Sequence, residues 1–457
     1  MSEQTFDAIV IGGGPAGEVC AGRLGEKGLE VALVERELVG GECSYWGCMP
    51  SKALLRPSEV IAEALRVPGA REALRGELDA DAALRRRNEV IHDLDDSSQV
   101  PWLEKRQVQL VRGAGVLDGE RRVRTGGDIL HARRAVVIAT GTSASLPPVP
   151  GLEELEPWTN REATTANSAP ATLIVLGGGP IGVELAQAWT SLGSRVTLLE
   201  ALPRLLAREE AFASDLVEAA LHERGIEVRT GVKAVRAHNA DGRKWITLED
   251  GDELNAEELL VAAGRRPRTD DLGLETVGLE PGAQVGVDDT MRVPGQEWLY
   301  AVGDVNGRAL LTHMGKYQAR IAADHIAGLD VRVHPLADGP LVPRVVFTDP
   351  QVAAVGHTFA SAQEAGLNVR AVDHTTGATA GGSFHGRNTP GESRLVVDED
   401  RRVLVGATFS GSEVAEFLHA ATIAVVGEVP LDLLWHAVPS FPTRSEIWLR
   451  LLETYGM

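Results

Sequence analysis

Cysteine is scarce in this chain, with only three residues among 457. That count is too low for a disulfide-stapled secreted scaffold. Positive charge is also short, at 45 Lys+Arg against 65 Asp+Glu, for a net charge of -20. Such an acidic balance disfavours nucleic acid and anionic membrane as partners. No apolar run approaches the roughly 18 residues of a spanning helix. The first one, Ala8 to Ile11, has no basic flank and ends in glycines, unlike a signal peptide. A cytoplasmic globular protein is the expectation, and there a disulfide is more often catalytic than structural. At 44% hydrophobic, the chain is long enough for three or four domain-sized units with cores of their own.

What is present is glycine, 50 residues of it, and part of that is patterned. Asp7 to Ile11 reads as a short buried strand, followed by Gly12, Gly14 and Gly17 in a G-x-G-x-x-G array and a helix of small residues. A second strand, Val31 to Val34, delivers Glu35. The order recurs downstream: strand Leu173 to Leu176, then Gly177, Gly179 and Gly182, a helix through Trp189, and strand Val196 to Leu199 delivering Glu200. Both acidic residues fall 23 positions after the first glycine of their unit. A single such array is weak; two complete strand–turn–helix–strand–acid units at one offset predict two dinucleotide sites. The glycines permit a tight turn and close approach of a pyrophosphate to a helix N-terminus, and the acid bonds a ribose hydroxyl. A carboxylate at Glu200 repels a 2′-phosphate, which favours NADH over NADPH. Arg204, four residues on, bears the other way or is a solvated surface charge.

Between the two units lies Gly41-Glu42-Cys43-Ser44-Tyr45-Trp46-Gly47-Cys48-Met49-Pro50-Ser51-Lys52. Five residues of straight helix rise about 7.5 Å, more than the roughly 6.8 Å Cα separation a disulfide tolerates. A Cys43–Cys48 bridge therefore needs a loop or a distorted first turn. Gly47 loosens the backbone there, and Pro50 suits a first helical turn. Cys48 near a helix N-terminus would have its thiolate stabilised. A reversible disulfide, a pair of structural thiols and a metal site are the three readings. Zinc needs about four ligands, and no second cysteine pair is present, so no metal is expected. Cys20 reads as a small buried hydrophobe.

Further punctuation completes the outline. Ala135 to Ala139 is a buried strand ending at Thr140-Gly141, and Leu259 to Gly264 repeats the pattern before Arg265-Arg266-Pro267. Trp298 to Val302 is a strand delivering Gly303-Asp304 at its C-terminal end, where open α/β sheets bind ligands. A Pro-rich stretch, His334 to Pro343, precedes a last segment rich in β-branched residues. The basic run Arg85-Arg86-Arg87 reads as a solvated helix face.

With these residues in view, the chain resembles the FAD-dependent pyridine nucleotide–disulfide oxidoreductases, which include dihydrolipoamide dehydrogenase, glutathione reductase and mercuric reductase. The resemblance runs nearly end to end. Its most specific part is Gly40-Gly41-x-Cys43-x-x-x-Gly47-Cys48-x-Pro50-Ser51-Lys52. It implies an α/β fold with two Rossmann-like dinucleotide-binding domains plus a C-terminal α+β dimerisation domain. The expected boundaries are 1–147 for FAD binding, 148–265 for NAD(P) binding, 266–336 for a return into the FAD domain and 337–457 for the interface. It implies FAD on the first unit, NADH (or NADPH) on the second, a homodimer, and a small-molecule electron acceptor. Carried over by position, Gly12, Gly14 and Gly17 hold the FAD pyrophosphate, Glu35 its adenosine ribose and Asp304 its ribityl chain, with Thr140, Gly141 and Gly303 beside it. Gly177, Gly179, Gly182, Glu200 and Gly264 serve the nicotinamide nucleotide. Cys48 is the thiol against the flavin, Cys43 the outer thiol, and Lys52 lies near the flavin paired with Glu184. The chemistry suits both nucleotides: nicotinamide gives a hydride, flavin accepts it, and a disulfide takes the electron pair.

One position breaks the pattern. The family ends in His-Pro-Thr-x-x-Glu, whose histidine exchanges protons with an external disulfide; here the segment is Phe441-Pro442-Thr443-Arg444-Ser445-Glu446. Phenylalanine carries no proton, and general acid–base help is worth ~10²–10⁴-fold. Glu446 keeps the glutamate position among the catalytic group. His436, five residues upstream of Phe441, reads as a substitute base brought in by a shifted loop or as a packed or surface histidine. Glu42, Tyr45 and Trp46 make the cysteine loop bulkier and more acidic than the usual family version. The expectation is electron transfer to a quinone or other non-thiol acceptor, with dihydrolipoamide dehydrogenase or low-molecular-weight disulfide reductase as the alternative.

Overall fold

The computed structural model describes residues 2–386 and 389–457. The chain forms two compact units, one of residues 1–50, 88–145 and 265–340, the other of 51–87, 146–264 and 341–457. It passes from the first to the second within helix Cys48–Arg66.

In the first unit the parallel strands Val108–Arg112, Val31–Glu35, Glu3–Ile11 and Asp128–Ile138 lie side by side in that order. Arg122–Thr125 and Gly115–Leu117 extend the sheet antiparallel. The late strand Leu299–Ala301 returns to pair parallel with the end of Asp128–Ile138. Val31–Glu35 is buried at all five positions, as a parallel strand covered on both faces must be. Helix Pro15–Glu26 packs Cys20, Ala21 and Leu24 against Ala8, Val10, Leu33 and Val137 on one face. Cys20 is fully buried, and burial pushes its thiol up to about 12.

The second unit repeats the device. Parallel strands Glu227–Thr230, Arg195–Glu200, Thr172–Leu176 and Glu258–Val261 form its sheet. Helix Pro180–Ser191 buries every residue from Gly182 to Trp189. In the same unit, five antiparallel strands in the order Arg344–Val346, Gln351–Gly356, Val403–Gly411, Glu392–Asp398 and Val369–Thr375 form a separate sheet. Helices Leu418–Val426 and Glu446–Tyr455 cover it through Ala421, Val425, Ile447 and Leu451. The fold is thus α/β, with two Rossmann-like units and a C-terminal α+β layer.

The basic run differs from its expected role. Arg85 and Arg86 are exposed on helix Ala80–Val90, but Arg87 is fully buried, donating to the carbonyls of Thr164 at 2.5 Å and Ala166 at 2.8 Å. A third arginine on the inner face finds carbonyls at the end of helix Asn160–Thr165, which orphan acceptors of that kind attract.

Candidate active site

The two glycine arrays adopt matching geometry. Gly12 and Gly177 take left-handed φ of 104° and 114°, and a Cβ on either would press into the carbonyl of Ala139 or Ala262. Gly17 and Gly182 approach closer still: a Cβ there would lie 1.8 Å from the carbonyl oxygen of Gly12 or Gly177. Gly14 and Gly179 cap the following helices, each with proline at its start, and a Cβ on either would meet nothing within 4 Å. Tight backbone packing with open space at a helix N-terminus is the cradle a pyrophosphate needs.

The acids close each cradle in the same way. Glu35 accepts the N–H of Gly13 at 2.5 Å and of Glu37 at 2.6 Å. Glu200 accepts the N–H of Gly178 at 2.5 Å and of Leu202 at 2.7 Å. Each carboxylate is pinned at the strand end beside its glycine turn. Arg204, half-buried, donates to the carbonyls of Ala207 and Glu209 rather than standing as a solvated charge. The residues therefore fit the two dinucleotides on geometry alone.

At the C-terminal end of the first sheet, Gly303 donates its N–H to the buried Gln318 at 2.9 Å. Asp304 follows, accepting from the Thr142 hydroxyl at 2.9 Å. Burial pushes the Asp304 carboxyl above the usual carboxylate range, against the pull of Thr142 and Arg265. Thr140 and Gly141 follow the end of strand Asp128–Ile138, and Gly141 accepts from the Arg268 N–H at 3.0 Å through its carbonyl. Gly264 immediately precedes strand Arg265–Pro267, which pairs with Thr142–Ala144.

The cysteine loop consists of two helices, Gly41–Tyr45 and Cys48–Arg66, broken at Trp46 and Gly47. Cys43 lies on the first and Cys48 opens the second, so the pair escapes the straight-helix separation that would forbid a bridge. The short helix packs onto the first glycine turn: Gly40 donates to the Gly13 carbonyl at 2.8 Å, and a Cβ on Gly41 would lie 2.8 Å from the Gly14 Cα. Both cysteines are half-buried. The hydrogen bond between Cys43 and Cys48 holds the Cys43 thiol far above its ordinary range, with burial adding to it. Thr312 and Lys316 pull the other way, and Thr312 Oγ1 lies 3.4 Å from Cys48 Sγ. Thr312 opens helix Thr312–Ile326, so Cys48 stands at the N-termini of two helices, where dipoles favour a thiolate.

In the second unit, Lys52 Nζ lies 2.7 Å from Glu184 Oε2 and 4.6 Å from the centre of the Phe347 ring. The other carboxylate oxygen of the buried Glu184 accepts the Phe347 N–H at 2.9 Å. Glu446, also buried, accepts the Gly381 N–H at 3.0 Å. Phe441 is 77% exposed, and His436 is exposed as well.

Sequence reasoning did not single out Thr312, Lys316 or Thr142. None sits in a spaced motif; Thr312 reaches Cys48 across 264 positions of chain, and only the fold makes them neighbours.

Comparison with known proteins agrees with this geometry. The profile described as pyridine nucleotide-disulphide oxidoreductase matches residues 6–323, and the dimerisation domain of that family matches residues 342–451. A dihydrolipoyl dehydrogenase of Rhizobium etli is 30% identical, covering 99% of this chain and 98% of its own. A mercuric reductase of Lysinibacillus sphaericus is 30% identical over 98% of this chain and 82% of its own. The solved Cu(II) complex of the HOCl-induced flavoprotein disulfide reductase RclA from Escherichia coli superposes with a TM-score of 0.87 at 26% identity, covering 98% of this chain and 99% of the other. No helix among the described residues is long and apolar enough to cross a membrane. The chain belongs to the pyridine nucleotide-disulphide oxidoreductase family, as a flavoprotein enzyme that uses FAD and NAD(P)H.

Proposed function

We propose that the chain carries electron pairs from NADH through FAD to Cys43 and Cys48, and onward to a small-molecule acceptor that is not a thiol disulfide. Bound FAD supplies the relay between a hydride donor and a disulfide. The chain's own residues hold and orient it: Gly12, Gly14 and Gly17 take the pyrophosphate, Glu35 the adenosine ribose, and Asp304 the ribityl chain beside Thr140, Gly141 and Gly303. Gly177, Gly179 and Gly182 with Glu200 and Gly264 take the nicotinamide nucleotide. The pinned carboxylate of Glu200 supports NADH over NADPH, because a 2′-phosphate would meet fixed negative charge. Lys52, held by Glu184, supplies positive charge near the flavin. Opening the Cys43–Cys48 disulfide takes up two electrons and one proton, leaving a thiol at Cys43 and a thiolate at Cys48.

In this proposal FAD binding belongs to 1–147 and 266–336, NAD(P) binding to 148–265, and the interface to 337–457. The dimerisation-domain match and the exposed Leu433, Val438 and Phe441 support a homodimer. A cytoplasmic setting suits a chain with only three cysteines among 457 residues.

The observation that carries the acceptor reading is Phe441, an exposed ring that holds no proton at the family's histidine position, while Glu446 is engaged by the Gly381 N–H. The test is a steady-state panel with NADH: quinones, Cu(II), lipoamide and glutathione disulfide. Cu(II) belongs in it because the RclA structure is a Cu(II) complex. Quinone or metal-ion turnover should exceed disulfide turnover, and Phe441→His should raise disulfide turnover at least tenfold without raising the other. Wild-type turnover of lipoamide above all other acceptors would establish the disulfide-reductase alternative that the dihydrolipoyl dehydrogenase relatives favour.

A further inference from the structure

A run of charged side chains stands behind the cysteine loop. Glu42 occupies the first turn of helix Gly41–Tyr45, one residue before Cys43. Its Oε1 accepts from Arg268 at 2.8 Å, and its Oε2 faces Arg265 at 3.8 Å. The three side chains are only 17–22% exposed. Arg265 also donates to the Thr142 hydroxyl at 2.7 Å and carbonyl at 2.9 Å, and that same hydroxyl donates to Asp304. Arg268 reaches Glu37 at 3.8 Å. The backbone of Glu42 is committed too: its carbonyl accepts the Trp46 N–H at 2.8 Å, and a Cβ on Gly47 would lie 3.1 Å from that oxygen. Glu42 thus packs against the turn that leads into Cys48.

We propose that Glu42 is a positioning residue for the cysteine pair: clamped by Arg265 and Arg268, it fixes the helix that carries Cys43 and cancels positive charge that would otherwise stabilise the thiolate. The inference rests on reading Cys43 and Cys48 as the redox pair. Lys316 acts on Cys43 directly; Glu42 stands one residue before Cys43, clamped by Arg265 and Arg268, and the further acidic neighbours of those arginines are Asp304 and Glu37. Reduction adds one net negative charge, at Cys48. Without Glu42, the guanidinium groups of Arg265 and Arg268 would welcome that charge more strongly; the carboxylate between them weakens the attraction. The reduced pair is therefore held at higher free energy and is a stronger electron donor. Glu42 already acts electrostatically inside this unit, since its charge is among the causes that raise the Asp304 carboxyl. Its effect on a partly buried thiolate nearby is expected to be roughly one pH unit.

The test uses the full-length holoenzyme, reduced anaerobically and titrated between about pH 5 and 9. The thiolate is followed by its long-wavelength band against the flavin and by the rate of iodoacetamide alkylation at Cys48. Glu42→Gln should lower the thiolate midpoint by roughly one unit, and Arg268→Gln should raise it by a similar amount. Glu42→Asp should restore a value near the wild type. The midpoint potential of the pair in glutathione buffers, read by alkylation, should become less negative in Glu42→Gln and more negative in Arg268→Gln. A merely loosened helix would move both variants the same way. That result, or unshifted midpoints, overturns the inference while leaving the redox pair intact. A wild-type enzyme with no thiolate signal overturns the underlying reading instead.

Discussion

Gly182→Ala should abolish tight binding of the nicotinamide nucleotide while sparing the flavin. A Cβ at this position would lie 1.8 Å from the Gly177 carbonyl oxygen, where real Cβ atoms stay beyond 3.0 Å. Relief needs more than 1 Å of movement. Helix Pro180–Ser191 cannot supply it cheaply, because its residues from Gly182 to Trp189 are all buried and shifting them overpacks the core by about 1–3 kcal/mol. The Gly177 turn must give instead, which pulls the Gly178 N–H away from Glu200, now at 2.5 Å. Losing a hydrogen bond to a charged group costs about 1.5–3 kcal/mol. That loss corresponds to about 10- to 150-fold weaker NADH binding. Stopped-flow reduction of the bound flavin at rising NADH concentration reads this affinity directly. The matching change Gly17→Ala, with the same 1.8 Å clash onto Gly12, should yield protein that does not retain FAD. Gly182→Ala that binds NADH within about threefold of wild type, with flavin retained, would refute the steric argument.

Glu184 separates charge from hydrogen bonding. Glu184→Ala should cost about 1–3 kcal/mol in urea unfolding, since it strands the Phe347 N–H now bonded at 2.9 Å. Glu184→Gln keeps that acceptor and should cost less than ~1 kcal/mol, because Lys52 is 35% exposed and its ion pair is partly screened. Equal losses in the two variants would contradict this division. Glu18 gives a pH dependence: burial, with Glu35 and Asp96 nearby, raises its carboxyl to about 7 against the pull of Lys316. Between its ordinary value of 4.5 and about 7 the unfolded apoprotein binds fewer protons than the folded one. Stability should therefore fall as pH rises through that window. Glu18→Gln should stabilise the apoprotein at pH 8 and leave it unchanged near pH 4; a gain of the same size at both would show that charge is not the cause.

Much of this arrangement was legible in sequence wherever function depends on local spacing. The two glycine arrays were readable because turn, helix start and acid lie within one βαβ unit, and both show the same Glu clamp on the second glycine turn. The break between Cys43 and Cys48 was foreseeable from Gly47 and Pro50, since a straight helix holds the thiols too far apart. What escaped reading is what the fold gathers from distant strands. Thr312, Arg265 and Arg268 come to the cysteine loop from elsewhere in the chain, as Thr142 comes to Asp304, and no spacing announces them. Arg87 shows the other limit: one arginine of a basic run turns inward to a helix end, which helical polarity alone does not reveal.

The most direct measurement of the account is anaerobic titration of the purified holoenzyme with NADH, followed by absorbance. The first two electrons should open the Cys43–Cys48 disulfide and leave a long-wavelength thiolate band with the flavin still oxidised. Cys48→Ser should lack that band, and the flavin itself should bleach with the first equivalent. A wild-type flavin that bleaches at once with no thiolate band, or a band that survives in Cys48→Ser, would contradict it.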